Sequence, residues 1–138
     1  MITKMTHVTL FVRNQDEALN FYTVTLGLKV HTDAMFGSDL RWLTVCPENQ
    51  PTMEIALIQA STPVEQALVG KQGATRPFLT FETDDCQATY AALSSRGVKF
   101  ATPPEKHPWG IAVLFEDLYG NRLYLCQPNV MPTSQSKE

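Results

Sequence analysis

Residues 21–30 read FYTVTLGLKV, and residues 96–100 read RGVKF. In both stretches a glycine ends an expected helix, and a short apolar strand follows it. The strand-like run that precedes each stretch begins at His7 in the first half and at Phe78 in the second. The intervals from these residues to the two glycines are 20 and 19 residues. This repeat predicts two copies of one β-α-β-β-β module.

Hydrophobic periodicity predicts the remaining elements. Strands alternate apolar and polar residues, whereas helices repeat apolar residues every three or four positions. The expected strands cover residues 7–13, 28–32, 40–46, 53–59, 78–83, 98–101, 111–115 and 122–127, and the expected helices cover 18–26, 64–68 and 88–93. We therefore predict a single domain over residues 1–138, with module one at 5–60, a linker at 61–76, module two at 77–128 and a tail at 129–138.

Composition limits the classes of partner. At 138 residues with 43% hydrophobic content, the chain is long enough for one compact core. Its 11 basic residues are scattered and its formal net charge is −3, which argues against a nucleic-acid-binding surface. No apolar stretch approaches the roughly 20 residues that span a bilayer, and the first residues do not form a signal peptide. The sequence thus predicts a cytoplasmic protein with no nucleic-acid or membrane partner.

Three motifs carry a family resemblance: FYTVTLGLKV after the first strand, PWG at residues 108–110 and FEDLYGNRLYL at residues 115–125. Together with the two modules, they resemble the vicinal-oxygen-chelate superfamily, which includes glyoxalase I, bleomycin-resistance proteins, fosfomycin-resistance enzymes and extradiol dioxygenases. The resemblance covers about residues 5–128. It implies an α+β fold in which two tandem β-α-β-β-β modules form a curled mixed sheet around a cavity, with the helices outside. Because superfamily members are commonly dimers, we expect a homodimer.

The resemblance also indicates where a metal would bind. Metal-dependent members hold an ion at the head of each module's first strand and within its last strand. Those positions are His7 and Glu54 in module one and Phe78 and Tyr124 in module two. Phenylalanine has no donor atom, and neutral tyrosine is a poor ligand for divalent ions. We therefore expect no cofactor; if a divalent metal binds, its ligands are His7 and Glu54, with the loop residue His107 as a further candidate.

Strand alternation indicates which side chains share the face of the metal positions. That face mixes aromatic and polar groups, as a small-molecule pocket does. The predicted ligand pocket consists of His7, Thr9, Phe11, Trp42, Glu54, Phe78, Thr80, Trp109 and Tyr124. The two tryptophans are equally compatible with the core. Glu82 and Arg122 have the same strand parity, but we expect them at strand ends in water.

Without a metal, Glu54 and His7 are expected to hydrogen-bond each other, with the Tyr124 hydroxyl as a third donor. Such a group either satisfies buried polarity or acts as a general acid and base. Two function classes therefore stay open, and no catalytic residue is assigned. The first is a small-molecule-binding protein of the bleomycin-resistance type. The second is an enzyme of lyase, transferase or dioxygenase type, which uses a metal on His7, Glu54 and non-standard ligands or metal-free acid–base chemistry.

Overall fold

Two four-stranded sheets and short helices form the chain in a computed structural model, which describes residues 1–129. The strands are β1 His7–Val12, β2 Lys29–Phe36, β3 Leu40–Cys46, β4 Glu54–Gln59, β5 Leu79–Glu82, β6 Glu105–His107, β7 Gly110–Glu116 and β8 Arg122–Pro128. The helices are α1 Gln15–Asn20, which continues into a π-helical turn at Phe21–Thr25, α2 Pro63–Leu68 and α3 Cys86–Ser95. Apart from Asn129, the expected tail lies outside the described residues. None of the helices described is long and apolar enough to cross a membrane.

The two modules repeat one topology, which confirms the predicted α+β class. Sheet one has the strand order β1-β4-β3-β2, and sheet two has the corresponding order β5-β8-β7-β6. In each sheet the first and last strands of the module pair in parallel, and the other neighbours are antiparallel. The eight strands thus form two separate sheets, neither of which closes into a barrel.

One expected strand is missing from module two. Residues 98–101 contribute only a single bridge, between Phe100 and Phe115, and the edge strand β6 forms later in the chain. Pro103 and Pro104 follow directly and have no backbone N–H to donate to a neighbouring strand. The Phe100 ring instead packs 4.7 Å from the Tyr90 ring. Apolar packing, rather than strand pairing, therefore holds this segment.

Local capping explains where the helices begin. The Asn14 side chain accepts a hydrogen bond from the Glu17 backbone N–H at 2.8 Å and caps α1. Asp85 caps α3 in the same way through the Ala88 N–H, at 3.0 Å. These side chains satisfy backbone donors that the first helical turn leaves without partners.

One continuous hydrophobic core joins the two modules on the helix side of both sheets. Its members include Leu10, Val12, Tyr22, Leu43, Val45 and Leu57 from module one and Cys86, Leu93, Val113, Phe115, Leu123 and Leu125 from module two. Because strands alternate, the residues between these core positions lie on the opposite face of each sheet. His7, Trp42 and Glu54 of the predicted pocket lie on that opposite face, whereas Phe78 packs against the core.

A buried carboxylate ties module two to module one. Asp117 Oδ2 accepts hydrogen bonds from the Tyr22 hydroxyl at 2.7 Å and from Asn121 Nδ2 at 2.9 Å. Its Oδ1 accepts the backbone N–H groups of Tyr119 and Asn121, both at 2.9 Å. Asp117 and Asn121 are 6% and 1% exposed. This network fixes the turn between β7 and β8 against the π-helical turn.

The linker docks on the free edge of β1. Gln72 donates from Nε2 to the Thr9 carbonyl at 3.0 Å and accepts the Phe11 backbone N–H at 2.7 Å. Arg122 donates to the Thr75 carbonyl at 3.1 Å from the other side of the linker. The Gln72 side chain therefore takes the place of a neighbouring strand at Thr9 and Phe11, on the edge of β1.

The Tyr22–Asp117 contact predicts an alkaline loss of stability. Burial, reinforced by the nearby Asp117 carboxylate, raises the pKa of Tyr22 well above its ordinary value of 10.0. The unfolded chain therefore releases the Tyr22 proton at lower pH than the folded protein does. The contribution of the neutral Tyr22 hydroxyl to the free energy of unfolding is therefore complete below pH 10 and falls above it. We expect the gap in unfolding free energy between wild type and Tyr22→Phe to shrink from pH 8 to pH 11, measured by urea denaturation. A constant gap would contradict this assignment.

Candidate functional site

A carboxylate lies at the centre of the candidate site on the face of sheet one opposite the core. Glu54 heads β4, and its side chain is 13% exposed. Its Oε1 lies 2.7 Å from Thr44 Oγ1 and 3.0 Å from His31 Nδ1, and its Oε2 lies 3.1 Å from His7 Nε2. We call His7, His31, Thr44 and Glu54 the carboxylate cluster. Three donors thus converge on one carboxylate.

The expected contact between His7 and Glu54 is present, but the expected third donor is wrong. The groups that join the pair are Thr44 and His31, whereas Tyr124 lies in the other sheet. Thr44 is fully buried and holds the carboxylate from β3. Parity placed Glu54 and Tyr124 on equivalent faces, yet equivalent faces of two separate sheets need not meet.

His31 was not predicted because it lies in a β-bulge. Val30 pairs with Val45 and Thr32 pairs with Thr44, so His31 is an additional residue in β2. The expected strand over residues 28–32 also extends to Phe36. A bulge changes the direction of a side chain without any mark in the alternation pattern. The only signal in the sequence is an ionisable residue in the strand after the module's glycine.

Aromatic rings border the carboxylate cluster. The Trp42 ring lies 5.6 Å from the His7 ring in an edge-to-face arrangement, and Trp42 is half-buried. The sequence was compatible with a position of Trp42 in the pocket or in the core. The structure places Trp42 on the face of the carboxylate cluster and not in the core. Along β1 from His7, Thr9 is exposed and Phe11 is half-buried.

Sheet two carries a second set of predicted residues on its corresponding face. His107 and Trp109 are stacked, with ring centroids 4.9 Å apart and an angle of 1° between the planes. Trp109 is 48% exposed and lies 6.3 Å from the Tyr124 ring. Burial raises the pKa of Tyr124, with Cys126 beside it as a smaller cause. We call His107, Trp109 and Tyr124 the aromatic row.

The first and last strands are paired differently at the strand heads of the two modules. His7 lies opposite Glu54, whereas Tyr124 lies opposite Thr80, two residues beyond Phe78. Phe78 is joined to β8 by its N–H, which donates to the Arg122 carbonyl at 2.8 Å. Phe78 and Tyr124 are therefore not directly opposite each other, as His7 and Glu54 are. Tyr124 as the module-two counterpart of Glu54 stays a prediction.

The nine predicted pocket residues fall into two groups. One group belongs to sheet one: His7, Thr9, Phe11, Trp42 and Glu54. In the other group, Thr80 and Tyr124 belong to sheet two, and Phe78 and Trp109 directly precede its strands β5 and β7. Among residues 1–129, no hydrogen bond or ring contact joins a member of one group to a member of the other. A groove of about 830 Å³ runs between residues 47–50 and the β5–α3 region, but Thr80 is the only predicted residue that lines it.

The residues present do not fit the superfamily's metal ion. Both Glu54 oxygens lie within hydrogen-bonding distance of a histidine nitrogen, and Oε1 also accepts the Thr44 hydroxyl. Module two offers Phe78, which has no donor atom, and Tyr124, whose neutral hydroxyl is a poor ligand for divalent ions. The part of the chain that the structure describes has no group of three or more His, Cys, Asp or Glu side chains arranged to hold a metal. Whether the protein carries a metal stays a prediction.

Comparisons with known proteins agree on one family. A family model described as the Glyoxalase/Bleomycin resistance protein/Dioxygenase superfamily matches residues 4–125. An uncharacterized protein of Shewanella frigidimarina (strain NCIMB 400) is 35% identical over 130 residues, which cover 94% of this chain and 96% of the relative.

Two solved structures are also similar to the chain. UcmS2 has a TM-score of 0.80 and 33% identity, with 91% of this chain and 98% of that chain covered. TnmS3, an antibiotic binding protein from Streptomyces sp. CB03234, has a TM-score of 0.77 and 30% identity, with 93% and 98% covered.

Proposed function

Because the chain belongs to the glyoxalase/bleomycin resistance protein/dioxygenase superfamily, we propose that it binds a small organic molecule and does so without the metal of the metal-dependent members. The observation that carries this proposal is the carboxylate cluster. The Glu54 oxygens are engaged by His7, His31 and Thr44, and the second module supplies no replacement ligands. The similarity to TnmS3, which is described as an antibiotic binding protein, supports binding as the activity.

The ligand we propose is a planar aromatic compound that carries polar groups. Trp42 beside the carboxylate cluster and Trp109 in the aromatic row both offer ring surface on the faces opposite the core. Aromatic side chains bind flat rings by stacking or edge contacts, at about 0.5–1.5 kcal/mol beyond buried area. The neighbouring carboxylate, imidazoles and hydroxyls would orient polar substituents.

We further propose that the protein acts as a homodimer in which a second copy covers the open face. Phe36 and Leu40 pair at the end of the β2–β3 hairpin and are 57% and 46% exposed, and Met35 beside them is 57% exposed. Light scattering is expected to give twice the 15.4 kDa of one chain, and a mass of one chain would contradict the dimer. A cytoplasmic location without nucleic-acid or membrane partners remains a prediction from composition.

An enzyme remains the second candidate, and the His7–Glu54 contact is the observation that favours it. A histidine held by a carboxylate can take and return a proton during a reaction. Turnover of a bound compound that stops in His7→Ala and continues in Val64→Ala, at an exposed position of α2, would establish this alternative.

The first test combines metal content with ligand binding. Elemental mass spectrometry of protein purified without chelator is expected to find no stoichiometric metal in wild type or in His7→Ala. Anthraquinone-2-sulfonate, a soluble planar probe, is expected to quench tryptophan fluorescence with a dissociation constant below about 0.1 mM. Trp42→Leu should weaken this binding about three- to tenfold because a ring contact is lost.

Two results would count against the proposed function. Near-stoichiometric metal in wild type that disappears in His7→Ala would restore a metal site. Absence of saturable quenching by the anthraquinone would remove the proposed ligand class. Val64→Ala is the control for the tryptophan variant, because Val64 is 72% exposed and lies on the linker helix α2, outside the carboxylate cluster and the aromatic row.

A further inference from the structure

We propose that His31 is a specificity-determining residue of this site, whose Nε2 atom accepts a hydrogen bond from a hydroxyl or N–H group of the ligand. The inference rests on the proposed function, because it concerns the same face of sheet one. The His31 acceptor would favour aromatic ligands that carry a hydrogen-bond donor over ligands in which that donor is methylated.

The carboxylate determines which nitrogen of each imidazole carries the proton. An ionised carboxylate only accepts hydrogen bonds, so a ring nitrogen 3.0–3.1 Å from it must donate. His7 therefore presents Nε2–H to Glu54, and His31 presents Nδ1–H. Thr32 Oγ1 also lies 2.8 Å from His31 Nδ1 and can accept a share of the same proton. The opposite tautomer of His31 would direct a lone pair at the Glu54 oxygen.

The two histidines differ in whether a ring nitrogen remains free to accept a hydrogen bond from a ligand. The Nδ1 atom of His7 lies 2.7 Å from Thr6 Oγ1, whose hydroxyl donates to it, so both His7 nitrogens are engaged. Among the described residues, His31 Nε2 has no hydrogen-bond partner. In the neutral tautomer that Glu54 selects, this nitrogen is an acceptor. His31 is thus the ring of the cluster with a free lone pair.

The surroundings hold that lone pair in place. Thr44 is fully buried and fixes Glu54, whose side chain is 13% exposed, while the bulge in β2 directs the His31 ring toward it. The His31 side chain is 34% exposed, so its outer edge is accessible to a ligand. A site with a preorganised acceptor discriminates against a ligand whose donor is methylated, because the acceptor then loses its partner.

The tautomer is tested directly by long-range ¹H–¹⁵N NMR of uniformly labelled protein at pH 8.5, well above the pKa of a free imidazole. We expect His31 with Nδ1 protonated and Nε2 bare, and His7 with the opposite pattern. His31 found with a protonated Nε2 would overturn the proposal. This measurement needs no ligand, so its result is independent of the proposed function.

Specificity is tested with 2-naphthol and its methyl ether, 2-methoxynaphthalene, by tryptophan fluorescence. Wild type is expected to bind 2-naphthol about tenfold more tightly, the effect of one hydrogen bond. His31→Phe should remove this preference, and His31→Gln should retain part of it. Val64→Phe, which introduces the same ring at an exposed position of α2, should leave the preference unchanged. The glutamine variant keeps a polar group at the position if the phenylalanine variant fails to fold.

Equal binding of the two naphthalenes, a preference that persists in both His31 variants, or no binding of either compound would overturn the role of His31. Binding of anthraquinone-2-sulfonate distinguishes failure of the role of His31 from failure of the proposed function. If the anthraquinone still binds, only the inference about His31 fails; if it does not, the proposed ligand class fails as well.

Discussion

Replacing Asp117 by alanine is expected to lower the free energy of unfolding by about 3–5 kcal/mol, because four donors lose their acceptor at once. The donors are the Tyr22 hydroxyl, the Asn121 side-chain amide and two backbone N–H groups. Tyr22 is fully buried and Asn121 is 1% exposed, so little water can replace the carboxylate. Urea denaturation at pH 7 measures the change.

Asp84→Ala is the matched control for this prediction. Asp84 is exposed and lies in the turn before α3, so its loss should change stability by less than about 0.5 kcal/mol. Asp117→Asn keeps the shape but turns an amide donor toward existing donors, and we expect an intermediate loss of about 2 kcal/mol. A cost below about 1 kcal/mol for Asp117→Ala would show that the network does not hold the modules together.

Gly70→Ala is expected to cost about 2–5 kcal/mol of unfolding free energy. Gly70 has φ +78°, and a Cβ built on it would lie only 2.0 Å from the Tyr119 carbonyl oxygen. The left-handed backbone costs a non-glycine residue about 1–2 kcal/mol, and forcing the linker away from Tyr119 adds about 1–3 kcal/mol. Chemical denaturation of the purified variant measures the total.

Gly27→Ala separates the two contributions. Gly27 has φ +86°, but a Cβ there meets nothing within 4 Å, so only the backbone cost of about 1–2 kcal/mol applies. The difference between the two variants therefore measures how tightly the linker docks on the β7–β8 turn. Equal losses would mean that the linker moves away without cost.

Much of the fold could be predicted because its signals are local. The strand that begins at His7, the linker helix near Pro63 and the glycine at each helix end follow from alternation, capping and turn preferences. The strand lost at residues 98–101 shows the limit of this approach. Its alternation is compatible with a strand, but whether a partner strand is available depends on where the following prolines direct the chain.

The candidate site could be predicted only in part. The sequence identified Glu54 and His7 as a pair and Trp42 as a neighbour, because strand parity and the family resemblance both apply to these residues. Neither argument identifies Thr44 as the buried donor, because strand parity specifies the face of a side chain and not the partner it contacts there.

By itself, the sequence determined the two-module plan and the order of the elements, because periodicity does not depend on distant contacts. Only the tertiary structure decided that the bulge brings His31 to Glu54 and that the carboxylate cluster and the aromatic row lie on separate sheets. The physical reason is that periodicity specifies the face on which a side chain lies. The partners it meets there depend on register, bulges and the packing of one sheet against the other.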